Sequence, residues 1–125
     1  MSSLEDLKKQ LLEDPTIPNN VKAANQLANA TERKEAIKIL KRGFEITDPT
    51  LHVALINALV KHGAKEAIPQ ISTCLKSPND AERNAAYEAL VNPSIRDRKV
   101  VKIFRDRLRF ERNNAVRILI IQKLA

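Results

Sequence analysis

Ala67 to Leu90 reads AIPQISTCLKSPNDAERNAAYEAL: an apolar run, a break at Ser77-Pro78-Asn79-Asp80, then an Ala-rich run with apolar residues at helical spacing. About 31 positions upstream, Lys34 to Leu59 reads KEAIKILKRGFEITDPTLHVALINAL and has the same shape. KEAI at Lys34–Ile37 returns at Lys65–Ile68, and Ala58-Leu59-Val60 returns at Ala89-Leu90-Val91. A paired restart of this kind marks a structural repeat rather than an irregular globule.

Working outward, apolar residues at i, i+3 and i+7 mark one face of a helix. The triplet occurs at Leu4-Leu7-Leu11, Ile37-Leu40-Phe44, Ile68-Ile71-Leu75 and Val101-Phe104-Leu108, with starts 33, 31 and 33 residues apart. Each is followed by a second apolar segment: Ala24-Leu27, Ile56-Leu59, Tyr87-Leu90 and Ile121-Leu124. The unit is helix–turn–helix, repeated four times in one domain over residues 1–125, with units near 1–30, 31–63, 64–92 and 93–125. One such pair cannot bury its apolar faces alone, whereas stacked pairs bury a continuous core.

The punctuation agrees. Ser77 reads as an N-cap before Pro78, with Asp80 as a capping-box acid; Asp48-Pro49 and Ser94 with Asp97 open helices in the same way. Gly63 after Lys61-His62 reads as a C′ glycine. Gly43 falls inside a helix expected to run through Phe44, which it shortens or bends.

The residues Ala67-Ile68-Pro69, Leu75, Ser77-Pro78-Asn79, Arg83 and Ala85-Ala86-Tyr87-Glu88-Ala89-Leu90 resemble a HEAT repeat, and more narrowly the short HEAT-like units of phycobilisome-lyase-type proteins. Pro69 matches the proline that bends the first helix of that family, and Arg83 the arginine near the start of the second. Val116-Arg117 resembles its Val-Arg pair, and Val21-Lys22 echoes it more weakly. Ser77 and Asn79 stand where the family has aspartates, and His52 where it has arginine, so its Asp–Arg ladder between repeats is incomplete here. The resemblance implies an all-α, right-handed α-solenoid of about four HEAT-like helix pairs. Such repeats host many roles, so it bears on fold more than on function.

Composition narrows the function. The chain has 125 residues and is 43% apolar, enough for a core, but only 3% aromatic with no tryptophan. Two glycines leave no Gly-rich phosphate cradle. No apolar stretch approaches the ~20 residues that span a bilayer, and MSSLEDLKKQLLED is too charged for a secretory signal. A lone cysteine, Cys74, suits a reducing, cytoplasmic setting. It reads as a packed small hydrophobe, and Tyr87 as core or groove lining. His52 and His62, ten residues apart on one helix, do not make an i, i+4 metal pair; His52 reads as a surface or inter-repeat hydrogen-bonding residue. No metal, cofactor or catalytic residue is expected. HEAT-like DNA glycosylases are similar in architecture, but their aromatic, acid-bearing cleft has no counterpart here, and nothing marks a bilin site.

The charge is lopsided. Residues 1–95 hold 12 Lys+Arg and 12 Asp+Glu, while residues 96–125 hold 10 and 3, which accounts for the whole formal charge of +7. Arg98, Lys102, Arg105, Arg109 and Arg112, read on one helix, fall within about 80° of arc at ~100° per residue. Arginine forks suit carboxylate and phosphate, so this ridge is the expected partner-binding surface. The final helix, AVRILIIQKLA, is apolar nearly all round; part of it, around Ile118 or Leu119, is expected to meet a second copy or a partner unless its neighbours or a longer array cover it. The expected function is a non-catalytic adaptor that holds an acidic protein surface on its groove and basic C-terminal unit. Nucleic acid is the second partner class, and a lyase- or glycosylase-like enzyme component the third.

Overall fold

The computed structural model describes residues 3–124, and their side chains as far as Gln122. Eight α-helices follow one another: α1 (Leu4–Leu12), α2 (Ile17–Leu27), α3 (Arg33–Gly43), α4 (Pro49–Lys61), α5 (Ile68–Thr73), α6 (Asp80–Val91), α7 (Arg98–Leu108) and α8 (Asn114–Leu124). No strand occurs among the described residues. Short turns pair α1 with α2, α3 with α4, α5 with α6 and α7 with α8, giving the α-solenoid of four helix pairs that the spacing predicts. The second helices α2, α4, α6 and α8 pack in succession into a continuous spine, and in the other layer α1 packs against α3.

Alanine makes the spine possible. Ala23, Ala24, Ala54, Ala58, Ala86 and Ala89 are buried between leucines and isoleucines, so the stacked helices approach closely. The first-helix triplets bury Leu7, Leu11, Ile37, Leu40, Ile68, Ile71 and Leu75 as expected. Two faces differ from the sequence reading. In α7, Val100 and Phe104 are the buried residues, while Val101 and Leu108 are half-buried, because Phe104 docks edge-on against Tyr87 with ring centroids 5.4 Å apart. In α8, Val116 and Ile120 fill the core and Ile121 is 53% exposed; the Leu124 side chain lies outside the described residues.

The helix ends follow local chemistry, with two corrections. Asp48 caps α4 as expected, its carboxylate accepting from the Leu51 N–H at 2.9 Å. The cap of α6 is Asn79, accepting from Glu82 N–H at 2.9 Å, rather than Ser77, because Pro78 is still outside the helix. The cap of α7 is Asp97, not Ser94, whose hydroxyl instead donates to the Val60 carbonyl at 3.2 Å. Gly63 adopts φ 61°, the left-handed C′ geometry. Gly43 ends α3 because a Cβ there would lie 2.9 Å from Leu55 Cδ2, so the glycine lets α3 close onto α4. Pro69 stands in the first turn of α5, which is confined between 3₁₀ turns at Lys65–Ala67 and Cys74–Lys76. The third unit thus has the shortest first helix.

Within each unit one polar side chain near the start of the second helix reaches back to carbonyls at the end of the first or in the turn that follows it. Asn20 Nδ2 donates to the Gln10 and Leu11 carbonyls at 2.9 and 3.0 Å. His52 Nε2 donates to Ile46 O at 2.6 Å, Arg83 Nη1 to Ser77 O at 2.7 Å, and Arg117 Nη1 to Leu108 O at 2.7 Å. In the first unit this residue is Asn20 rather than the Val21-Lys22 pair; Lys22 is exposed. His52 thus takes the arginine's place in the second unit. Two of these side chains also link units: His52 Nδ1 bonds Glu82, and Arg83 Nε donates to Glu111 at 2.9 Å; within its own unit Arg83 Nη2 bonds Asp80.

Glu82, with its side chain only 7% exposed, is held by Ser77 and His52. Burial alone would raise its pKa, but the hydrogen bonds from Ser77 and His52 and the charge of His52 outweigh it and hold the carboxyl below the usual value. A depressed folded pKa stabilises the fold above the unfolded carboxylate value and ceases to do so as pH falls through the folded one. Replacing Glu82→Gln is expected to cost about 1–3 kcal/mol at neutral pH. In urea denaturation the gap to wild type should close as the solution is acidified.

Candidate functional site

Arg98, Lys102 and Arg105 stand exposed on α7, but α7 ends at Leu108. Arg109 is its C-cap, and Arg112 lies in the turn to α8. The five cations therefore do not form one helical ridge. Three line a helix face, and two continue past it on non-helical backbone. All five are exposed, and none makes an ion pair among the described residues.

Their freedom has a local cause. Residues 96–125 carry three acids, Asp97, Asp106 and Glu111. Asp97 caps α7, accepting from Lys99 N–H at 2.8 Å. Glu111 is buried and receives Arg83 from the preceding unit. Only Asp106 remains on the surface beside so many cations.

Between α5 and α7 runs a cavity of about 400 Å³, lined by Ser72, Leu75, Lys76, Ile103, Arg107 and Phe110 among others. Arg107 lies over the Phe110 ring at 5.9 Å, within cation–π range. Phe110 is 67% exposed, and Ile118 and Ile121 are 54% and 53% exposed, so the largest exposed apolar side chains all belong to the fourth unit. Leu119 is half-buried against the core. Of the residues expected to offer an apolar contact, Ile118 presents the larger surface. Phe110 and Arg107 escaped the sequence reading; their i, i+3 spacing was the available signal, hidden by extending the helix through Arg112.

The other residues singled out are bonded across units or buried in the core. His62 Nε2 bonds Leu27 O at 2.8 Å, across units. Arg33 forks onto the His62 carbonyl at 2.9 Å and onto Glu66. Tyr87 is fully buried, and burial foremost, with the Glu111 charge, pushes its hydroxyl up to about 12. Cys74 is buried, and burial foremost, with Glu82 beside it, pushes its thiol up to about 12, so as a free thiol it is unreactive.

The family model described as HEAT repeats matches residues 4–91, from the start of α1 to the end of α6. The chain belongs to the HEAT-repeat family. HEAT repeats suggest a protein-interaction scaffold kind of role. No curated protein matches the chain. Among the described residues no helix is long and apolar enough to cross a membrane.

The exposure pattern of α8 separates surface from core. Ile118→Asp combined with Ile121→Asp is expected to change unfolding stability by about 0.5 kcal/mol or less per site. Ile120→Asp, at a fully buried position, buries an unpaired carboxylate and should cost several-fold more. Urea denaturation of the two variants checks the contrast.

Proposed function

We propose that this HEAT-repeat chain is a non-catalytic adaptor that binds an acidic partner protein through the α5–α7 groove and the basic last unit. We place it in the cytoplasm and read residues 1–125 as one interaction domain. The observation that carries this reading is the coincidence of five exposed, unpaired cations with Phe110, Ile118 and Ile121 on the same unit. Protein interfaces combine an apolar centre with a charged rim. Charged rims steer association and select partners. A phosphate backbone would engage the arginines but leave those apolar side chains uncovered, which favours protein over nucleic acid.

Nucleic acid remains the second reading, carried by the guanidinium content of the last unit. The scarcity of aromatics argues against a base-stacking platform. An enzyme component of the phycobilisome-lyase or glycosylase kind ranks third, since neither catalytic pattern maps onto any position of this chain.

The double reversal Arg98→Glu with Arg105→Glu tests the assignment. Both side chains face away from the core, so circular dichroism should be unchanged. Partner capture from native lysate should survive nuclease treatment and fall at least ~10-fold in the variant, about 1.4 kcal/mol. Capture that nuclease abolishes and that weakens steeply with salt would replace the protein partner with nucleic acid. Undiminished capture by the variant would reduce the cations to a solvated face.

A further inference from the structure

Three elements of the second and third units bring unlike donor atoms to one point. His52 comes from α4, Cys74 from the turn closing α5, and Glu82 from the first turn of α6. One imidazole nitrogen, the thiol sulfur and one carboxylate oxygen lie within 4.8 Å of one another. These residues are 22 and 8 positions apart in sequence, so no short motif announces them. We propose that His52, Cys74 and Glu82 form a binding site for a divalent transition-metal ion of the zinc class, which fastens the second repeat to the third.

Hydrogen bonding orients each donor. His52 Nε2 lies 2.6 Å from the Ile46 carbonyl, which can only accept, so Nε2 carries the proton. Nδ1 is then the nitrogen turned towards Glu82. A metal-bound histidine is typically anchored in this way, by its other nitrogen on a carbonyl or carboxylate. The Glu82 carboxylate is anchored likewise: one oxygen meets His52 and the other accepts from Ser77 Oγ. Cys74 Sγ is 3.8 Å from the Gln70 carbonyl, a weak contact that costs little to exchange.

A further observation points to a cation. The Gln70 side-chain oxygen is buried and has no hydrogen-bond partner among the described residues. Gln70 lines the same cavity of about 330 Å³ as His52, Cys74 and Glu82. The cavity has room for Gln70 or a water to complete a four-coordinate shell. Zinc bonds of about 2.0–2.3 Å put tetrahedral donors ~3.3–3.8 Å apart, so the directly bonded His52 and Glu82 must part slightly to admit the ion between them while the Cys74 sulfur stays within reach. The charges balance, since a thiolate and a carboxylate together offset a divalent ion. The ion displaces the thiol proton and takes the place of the proton between His52 and Glu82. Lys76 also lines the cavity but is exposed, so water screens its charge.

Cys74 is the only cysteine, so a thiolate–metal signal reports on it alone. The full chain, treated with chelator and kept under a thiol-free reductant, is titrated with Co²⁺. One equivalent should produce thiolate-to-cobalt charge-transfer absorption in the near ultraviolet, and one equivalent of Zn²⁺ should remove it. Cys74→Ala, a mild change at a small buried position, should fold as wild type by circular dichroism and show no such band. Ser77→Ala should weaken Zn²⁺ binding by ~10-fold or more through the loss of a supporting hydrogen bond, and His52→Gln or Glu82→Gln by more than that. Two results would each overturn the site: a folded wild-type chain without the band, or calorimetric Zn²⁺ affinity equal in wild type and Cys74→Ala. The metal site and the basic surface are separate, so partner capture by the last unit is scored independently.

Discussion

The fold depends on a polar side chain near the start of each second helix that binds carbonyls in the last turn of the first helix or in the turn that follows it. The final turn of a helix leaves carbonyls without intrahelical donors, and in a stacked helix pair those carbonyls face protein rather than water. Asn20 and Arg117 supply such donors to the last turns of α1 and α7, while His52 and Arg83 bond Ile46 and Ser77 in the turns that follow α3 and α5. Arginine adds a favourable interaction with the negative end of the helix dipole. Because each bond ties the start of one helix to the end of its partner or to the turn between them, it also constrains the angle of that turn.

Two of these side chains, His52 and Arg83, also carry linkage between units. Arg83 touches Ser77 and Asp80 in its own unit and Glu111 in the next, and Asp80 also accepts from Asn113 of the next at 2.8 Å. His52 touches Ile46 in its own unit and Glu82 in the next. Alongside the Ala-rich second-helix spine, these bonds make a one-dimensional chain of nearest-neighbour contacts, as repeat architectures require. Paired charges leave a buried row satisfied, whereas removal of one partner strands the other. The cluster of His52, Cys74 and Glu82 lies on this row, where the second unit meets the third.

The row also explains why charge accumulates at one end. Acids in the earlier units are balanced in number by bases, whereas in the last unit two of three acids are engaged as a cap and as the Arg83 partner. The cations left over are uncompensated where α7 turns into α8. There Phe110, Ile118 and Ile121 reach the surface. Folding requirements in the third and fourth units therefore create a surface that is both basic and apolar.

The sequence by itself determined the repeat, the helix count and most of the buried face. Those depend on the spacing of apolar residues along a helix, a local property legible in Ile68-Ile71-Leu75 or Ala54-Ala58. It also placed the excess charge, since counting needs no coordinates. The tertiary structure decided what spacing cannot express. It ended α7 at Leu108, so the arc drawn through Arg109 and Arg112 did not apply beyond the helix. It turned α7 onto Phe104 because Tyr87 of the neighbouring unit offers an aromatic edge. It moved the cap of α6 from Ser77 to Asn79, freeing Ser77 for Glu82. It also gathered His52, Cys74 and Glu82 from three elements. Each of these depends on the distance between helices from different parts of the chain, which is set by how whole helix faces pack and not by the local pattern of any one.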